Sequence, residues 1–242
     1  MTDSRPTASP FRFAAATPAR WADVEKLFGP RGACAGCWCM WARLPSAEFA
    51  RGKGDGNRRA LRRLVEHGER PGIIAYRGGE PVGWCALAPR RTYVRLEKSR
   101  VLAPVDERPT WSVVCFFVSR ECRGQGLTVE LLRQAALEAK RRGATLIEGY
   151  PTDTKGAKSA AAFVWTGIAT AFERAGFEEV ARRSPTRPIM RLALGRGATG
   201  AGAPARRAGA AAPRVRAGRA RASGRAAASR GRAGAPAKRP RG

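Results

Sequence analysis

Between Trp111 and Arg142 the sequence calls for a strand, a tight glycine turn and a helix in immediate succession, and few folds accommodate all three. The run W-S-V-V-C-F-F-V at 111–118 carries no charge. A strand apolar on both alternating faces needs cover on both sides, so it belongs inside a sheet with helices packed against it. After it comes S-R-E-C-R-G-Q-G-L-T, residues 119–128, then a helix predicted over Gly126 to Arg142 with Leu131, Leu132, Ala135, Ala136 and Ala139 on one side and Gly143 at its end. Gly124 and Gly126 let bare backbone N–H groups approach an anion, and the helix adds its unpaired amides and positive dipole end. Arg123 puts a full positive charge at the loop entrance. Together these features suit a pyrophosphate.

The flanking elements are legible from the same rules. Arg12 to Ala15 reads as a strand, and Thr17 with Pro18 opens a helix to about Phe28. Residues 32–56 read as a glycine-rich loop holding Cys34, Cys37 and Cys39 among Trp38 and Trp41, after which Asn57 caps a helix to about His67. Gly72 to Tyr76 and Pro81 to Ala88 form a hairpin around Arg77-Gly78-Gly79-Glu80. A proline-bearing loop leads to the 111–118 strand. Thr145 to Tyr150 is a strand, a helix reaches Ala175, and strands at Phe177 to Arg182 and Ile189 to Leu194 complete the series. The order β-α-α-β-β-β-α-β-α-β-β, without internal repeats, implies one α/β (α+β) domain over residues 11–194, a mixed, mainly antiparallel sheet flanked by helices.

Composition separates that body from the last fifth of the chain. From Gly195 to Gly242 there are 13 Lys plus Arg, no acid and no aromatic residue. Such a segment cannot offset its ordering entropy, so 195–242 reads as a disordered basic tail, and 1–10 as a disordered N-terminus. The tail is either a solubilising extension or an arm making nonspecific polyanion or nucleic-acid contacts, since it lacks aromatics for base stacking. The other 33 basic residues face 19 acids, so the body is basic too. No run approaches membrane-spanning length and the N-terminus has no signal-type apolar core, which leads to a cytoplasmic expectation with reduced thiols. Oligomeric state is not readable.

Arg123-Gly124-Gln125-Gly126 after an apolar strand, F-E-R-A-G-F at 172–177 before a final hairpin, and the element order from Arg12 to Leu194 together resemble the GNAT family of acetyl-CoA-dependent N-acetyltransferases. The resemblance implies acetyl-CoA as co-substrate and an amine, on a small molecule or protein, as acceptor. It places the cofactor on the strand residues Phe116, Phe117 and Val118, with the backbone of Phe116 and Val118 pairing with the pantetheine arm. Main-chain amides of Arg123, Gly124, Gln125, Gly126, Leu127 and Thr128 would hold the pyrophosphate. Thr128 stands where the family usually has glycine or alanine.

Acyl transfer to an amine calls for a base and an acid. The family's strand glutamate has no counterpart in 111–118, and Phe172 stands where its tyrosine is usual. Period-two alternation places Glu148 and Tyr150 on one face of the neighbouring strand, making them the catalytic candidates, Glu148 as base or as anchor for a cationic amine and Tyr150 as acid; the plainer reading is an ion-paired glutamate and a packed tyrosine. Cys115 reads as a core thiol. The C-A-G-C-W-C cluster has one metal-type spacing but lacks a fourth ligand, so no metal is expected and the segment reads as a cover over the acceptor pocket. The resulting expectation is an N-acetyltransferase. The rival is an acyl-CoA-binding regulatory or polyanion-binding protein with little turnover.

Overall fold

The computed structural model describes residues 9–156 and 164–195; the expected tail beyond Gly195 lies outside them. Elements run in the order β1 (Arg12–Ala15), α1 (Trp21–Phe28), α2 (Ser46–Arg51), α3 (Asp55–Glu66), β2 (Gly72–Arg77), β3 (Glu80–Pro89), α4 (Val94–Glu97), β4 (Trp111–Val118), α5 (Leu127–Arg141), β5 (Leu146–Gly149), α6 (Ala169–Arg174), β6 (Glu178–Arg182) and β7 (Pro188–Ala193). Seven strands among the described residues form one sheet, ordered β1-β2-β3-β4-β5-β7-β6. Every neighbouring pair is antiparallel except β4 with β5.

Alternation along the strands feeds two cores. Ile73, Cys85, Leu87 and Val113 meet Leu127, Leu131, Leu132 and Ala135 of α5 on one face. Their sequence neighbours Ile74, Trp84, Ala86 and Val114 meet Trp21, Val24 and Phe28 of α1 and Leu61 and Val65 of α3 on the other. This double cover is what the uncharged β4 requires.

Three expectations need adjustment. The short helices α2 and α4 form inside segments that read as loops, each being too brief to show a period. Asn57 is not a cap: α3 begins at Asp55, and the fully buried Asn57 side chain donates to Gly36 O at 3.1 Å and Phe49 O at 3.4 Å. It ties the cysteine loop to the helix. The first helix begins as a 3-10 turn at Pro18–Arg20 before α1 proper.

The feature that makes a site is a parting of two strands. β4 pairs with β3 along its whole length, but with β5 only where Trp111, Ser112 and Val113 oppose Ile147, Glu148 and Gly149. Val114 is an extra residue against β3, a bulge at the point where the β5 pairing stops. Pro151, lacking an N–H, cannot extend the ladder from β5. Gly149 sits under the fully buried Phe172 ring of α6, where an added Cβ would fall 1.9 Å from Cε1.

Candidate active site

Beside the unpaired half of β4 lies a cleft of about 840 Å³. Its far end is the glycine turn and the start of α5; its near end is built from the cysteine loop, Trp41 and the segment around Trp165. Ser119 N–H donates to Val82 O of β3 at 2.9 Å, so the alternate residues Phe116 and Val118 aim their backbone polar groups away from β3 and toward the parted side. Phe116 N–H is already engaged there, donating to the Trp165 carbonyl at 2.7 Å.

The turn takes the shape its glycines permit. After a 3-10 turn at Arg120–Cys122, Gly124 has φ +75° and Gly126 φ +79°, both in the left-handed region that disfavours a Cβ. Gly126 is the N-cap of α5, so the first amides of a 15-residue helix open beside the cleft. Of the expected cofactor residues, Phe116, Phe117, Val118, Arg123, Gly124, Gly126, Leu127 and Thr128 all lie on the cleft wall. Gln125 does not: its amide oxygen accepts from Arg77 at 2.8 Å and its nitrogen donates to Glu121 O at 2.7 Å. Arg123 folds back so that Nε donates to Val118 O at 3.1 Å, fixing a cation at the junction of strand and turn. Arg174 adds another cation to the wall, and among the described lining residues there is no carboxylate.

Glu148 and Tyr150 come together as the alternation required, but away from that wall. Glu148 is 1% exposed and Tyr150 2%. One Glu148 oxygen takes Nε and Nη2 of Arg191 at 2.5 Å. The other accepts the Tyr150 hydroxyl at 2.8 Å and lies 3.6 Å from Arg90. Tyr150 Oη accepts from Arg90 at 2.7 Å and meets Ser112 Oγ at 2.8 Å, and Arg191 continues to Asp106 at 2.5 Å. Burial, reinforced by the Glu148 charge, pushes the Tyr150 phenol far above its ordinary value, so it stays protonated. Both Glu148 oxygens and the Tyr150 hydroxyl are engaged within the protein, while the buried Arg90 Nε has no hydrogen bond and lies 3.2 Å from Glu97 Oε1. Sequence reasoning missed Arg90, Asp106 and Arg191, which come from three distant segments with no shared spacing.

The cysteine loop lines the cleft, and there it meets β4 through a contact that sequence reasoning did not foresee. Cys34, Cys37, Cys39, Cys115 and Cys122 all contribute to the wall, and Cys39 Sγ lies 3.1 Å from Cys115 Sγ. Among the described residues no group of three or more Cys, His, Asp or Glu is arranged to hold a metal ion. Nor is any described helix long and apolar enough to cross a membrane. Trp41 stands edge-on to Trp165 at 5.0 Å between centroids, with the Arg95 guanidinium 4.5 Å over Trp41.

A search by sequence against curated proteins returns no match. Among solved structures, the fold is similar to that of an N-acetyltransferase from Staphylococcus aureus Mu50, at 12% identity over 77% of this chain and 99% of the other, with a TM-score of 0.46. It is similar as well to a GNAT-family acetyltransferase from Streptococcus agalactiae 2603, at 13% identity over 76% and 95% of the two chains and a TM-score of 0.46. A third is the PaiA N-acetyltransferase of Thermoplasma acidophilum in complex with coenzyme A, at 10% identity, 76% and 98% coverage and a TM-score of 0.45. The sequence model described as the acetyltransferase (GNAT) family matches residues 38–163, a span that holds β4, the glycine turn and α5. With more than half of its length matched, the chain belongs to the GNAT acetyltransferase family.

Proposed function

We propose that this protein is an acetyl-CoA-dependent N-acetyltransferase whose cofactor lies along the unpaired half of β4. The observation that carries the reading is the coincidence, in one cleft, of an open strand edge and a cationic glycine turn opening a helix. The amides from Arg123 to Thr128 bind the pyrophosphate, and the backbone of Val118 receives the pantetheine as an added strand would be received. Phe116 N–H joins that ladder on exchanging its bond to Trp165 O. Acetyl-CoA supplies the acetyl group as an activated thioester.

Running along β4 from the turn, the reactive end falls near Val114 and Cys115, where the acceptor meets the wall of Cys37, Trp41 and Trp165. Those side chains orient an amine and exclude water. Without a carboxylate in the described wall, the amine gives its proton to solvent, and kcat/KM follows the acceptor's own ionisation. A di- or polycationic acceptor finds no counter-charge, so the acceptor is an amine carried on an apolar or aromatic body. Glu148 and Tyr150 act as positioning residues: they hold β5 against β7 and against the paired start of β4, and thus keep the strands apart beyond Val113.

Acetyl-CoA consumption measured across a panel of apolar, aromatic and polycationic amines tests this. Thiol release with amide formation, fastest with aromatic or apolar amines, is the expected result. Tight acetyl-CoA binding with no thiol release across the whole panel would sink the enzymatic reading in favour of a binding protein.

A further inference from the structure

Two thiols from segments 76 residues apart meet at the cleft wall with their sulfurs 3.1 Å apart. Cys39 is buried at 5% exposure, whereas Cys115 is half-buried and lines the cleft, within reach of a small solute. The backbone goes out of its way to arrange this. Trp38 and Cys39 both have left-handed φ, +43° and +53°, a conformation that non-glycine residues hold only when packing imposes it. The packing is visible: Trp38 stacks on Trp21 at 6.2 Å and meets Phe28 at 5.5 Å, and Asn57 holds the Gly36 carbonyl. The fully buried Trp84 and Tyr93 belong to the same core as Cys39, with Cys115 packed against it.

We propose that Cys115 is a modification site for hydroperoxides, with Cys39 as its resolving thiol, so that mild oxidation closes a Cys39–Cys115 disulfide across the cleft wall. Cys115, as thiolate, attacks the peroxide oxygen; an S–O bond forms, the O–O bond breaks, and the expelled hydroxide takes a proton to leave as water. The Cys39 sulfur then attacks the Cys115 sulfenic acid; the S–S bond forms, the S–O bond breaks, and a second water departs with the Cys39 proton. Two thiols and one hydrogen peroxide give one disulfide and two waters. Burial, the largest influence on Cys39, keeps its thiol protonated far above the usual range. The cross-link joins the cysteine loop to β4 one residue before the Phe116 amide.

The test needs no assumption about catalysis. The full-length protein is treated with stoichiometric hydrogen peroxide under native conditions, alkylated, digested without reduction and mapped by mass spectrometry. The expected product joins the Cys39 and Cys115 peptides, with loss of two of the six titratable thiols. In C39S the Cys115 sulfenic acid persists and is trapped by dimedone, whereas C115S forms no link to Cys39. A Cys34–Cys37 or Cys37–Cys115 linkage as the main product, or six thiols surviving oxidant that modifies free glutathione, would overturn the assignment. So would an absence of dimedone adduct in folded C39S.

Discussion

Two polar regions flank the point where β4 and β5 part, and they are built on opposite principles. On the paired side, Glu148, Asp106, Arg90 and Arg191 bring four charges into a network in which every carboxylate meets a guanidinium. On the parted side the described cleft wall holds thiols, aromatics, backbone amides and two arginines, but no acid. The first region is largely buried, and the second borders the cleft. The contrast teaches that a buried glutamate beside a tyrosine is not thereby a catalytic pair; what counts is whether any lone pair or proton is left over for a ligand.

The sharpest way to break this comparison is Glu148→Gln. It leaves the Arg191 guanidinium, itself 5% exposed, with half of its compensation. Removing one member of a buried pair costs about 3–5 kcal/mol, to be read as a lower unfolding free energy in denaturant. Acetyl-CoA affinity of the folded variant should stay near that of the wild type. If stability barely moves while kcat collapses, the network belongs to the chemistry and the division between the two regions fails.

Gly126→Val probes the open side. It forces a branched side chain into φ +79° at the cap of α5 and should weaken acetyl-CoA binding at least about tenfold, or ~1.4 kcal/mol, by calorimetry. Unchanged affinity would remove the turn from the cofactor site. The smallest effect is expected from acid titration. Hydrogen bonds from Arg108, and next from Arg191, hold the Asp106 carboxyl well below the ordinary carboxylate range. A depressed carboxylate contributes stability above its unfolded pKa and loses that contribution as pH falls through the folded value. The wild type should therefore lose stability on acidification below the ordinary carboxylate range, and Asp106→Asn should flatten that limb; an identical acid profile would detach Asp106 from the network.

Much of this architecture could be read from local pattern. The bounds of β4, the Gly78–Gly79 hairpin turn and the left-handed glycines of the turn before α5 each follow from residues that can do little else where they stand. What could not be read depends on chain segments meeting. Arg191 reaches Glu148 across a β5–β7 pairing, Asp106 arrives from an irregular stretch, and Cys39 finds Cys115 through a left-handed bend that no sequence period announces. Asn57 shows the converse: a residue with strong capping preference serves better as a buried tie, because Gly36 and Phe49 present carbonyls that need a donor.

An unpaired strand edge is a template on which a second copy of the chain can add itself, and a protein that kept such an edge for a cofactor would carry that hazard whenever the cofactor was scarce. The bond from Phe116 N–H to the Trp165 carbonyl occupies one rung of the ladder from within. In the proposed binding mode that rung is held from within until the cofactor takes it over, which leaves less of the edge open to a second chain.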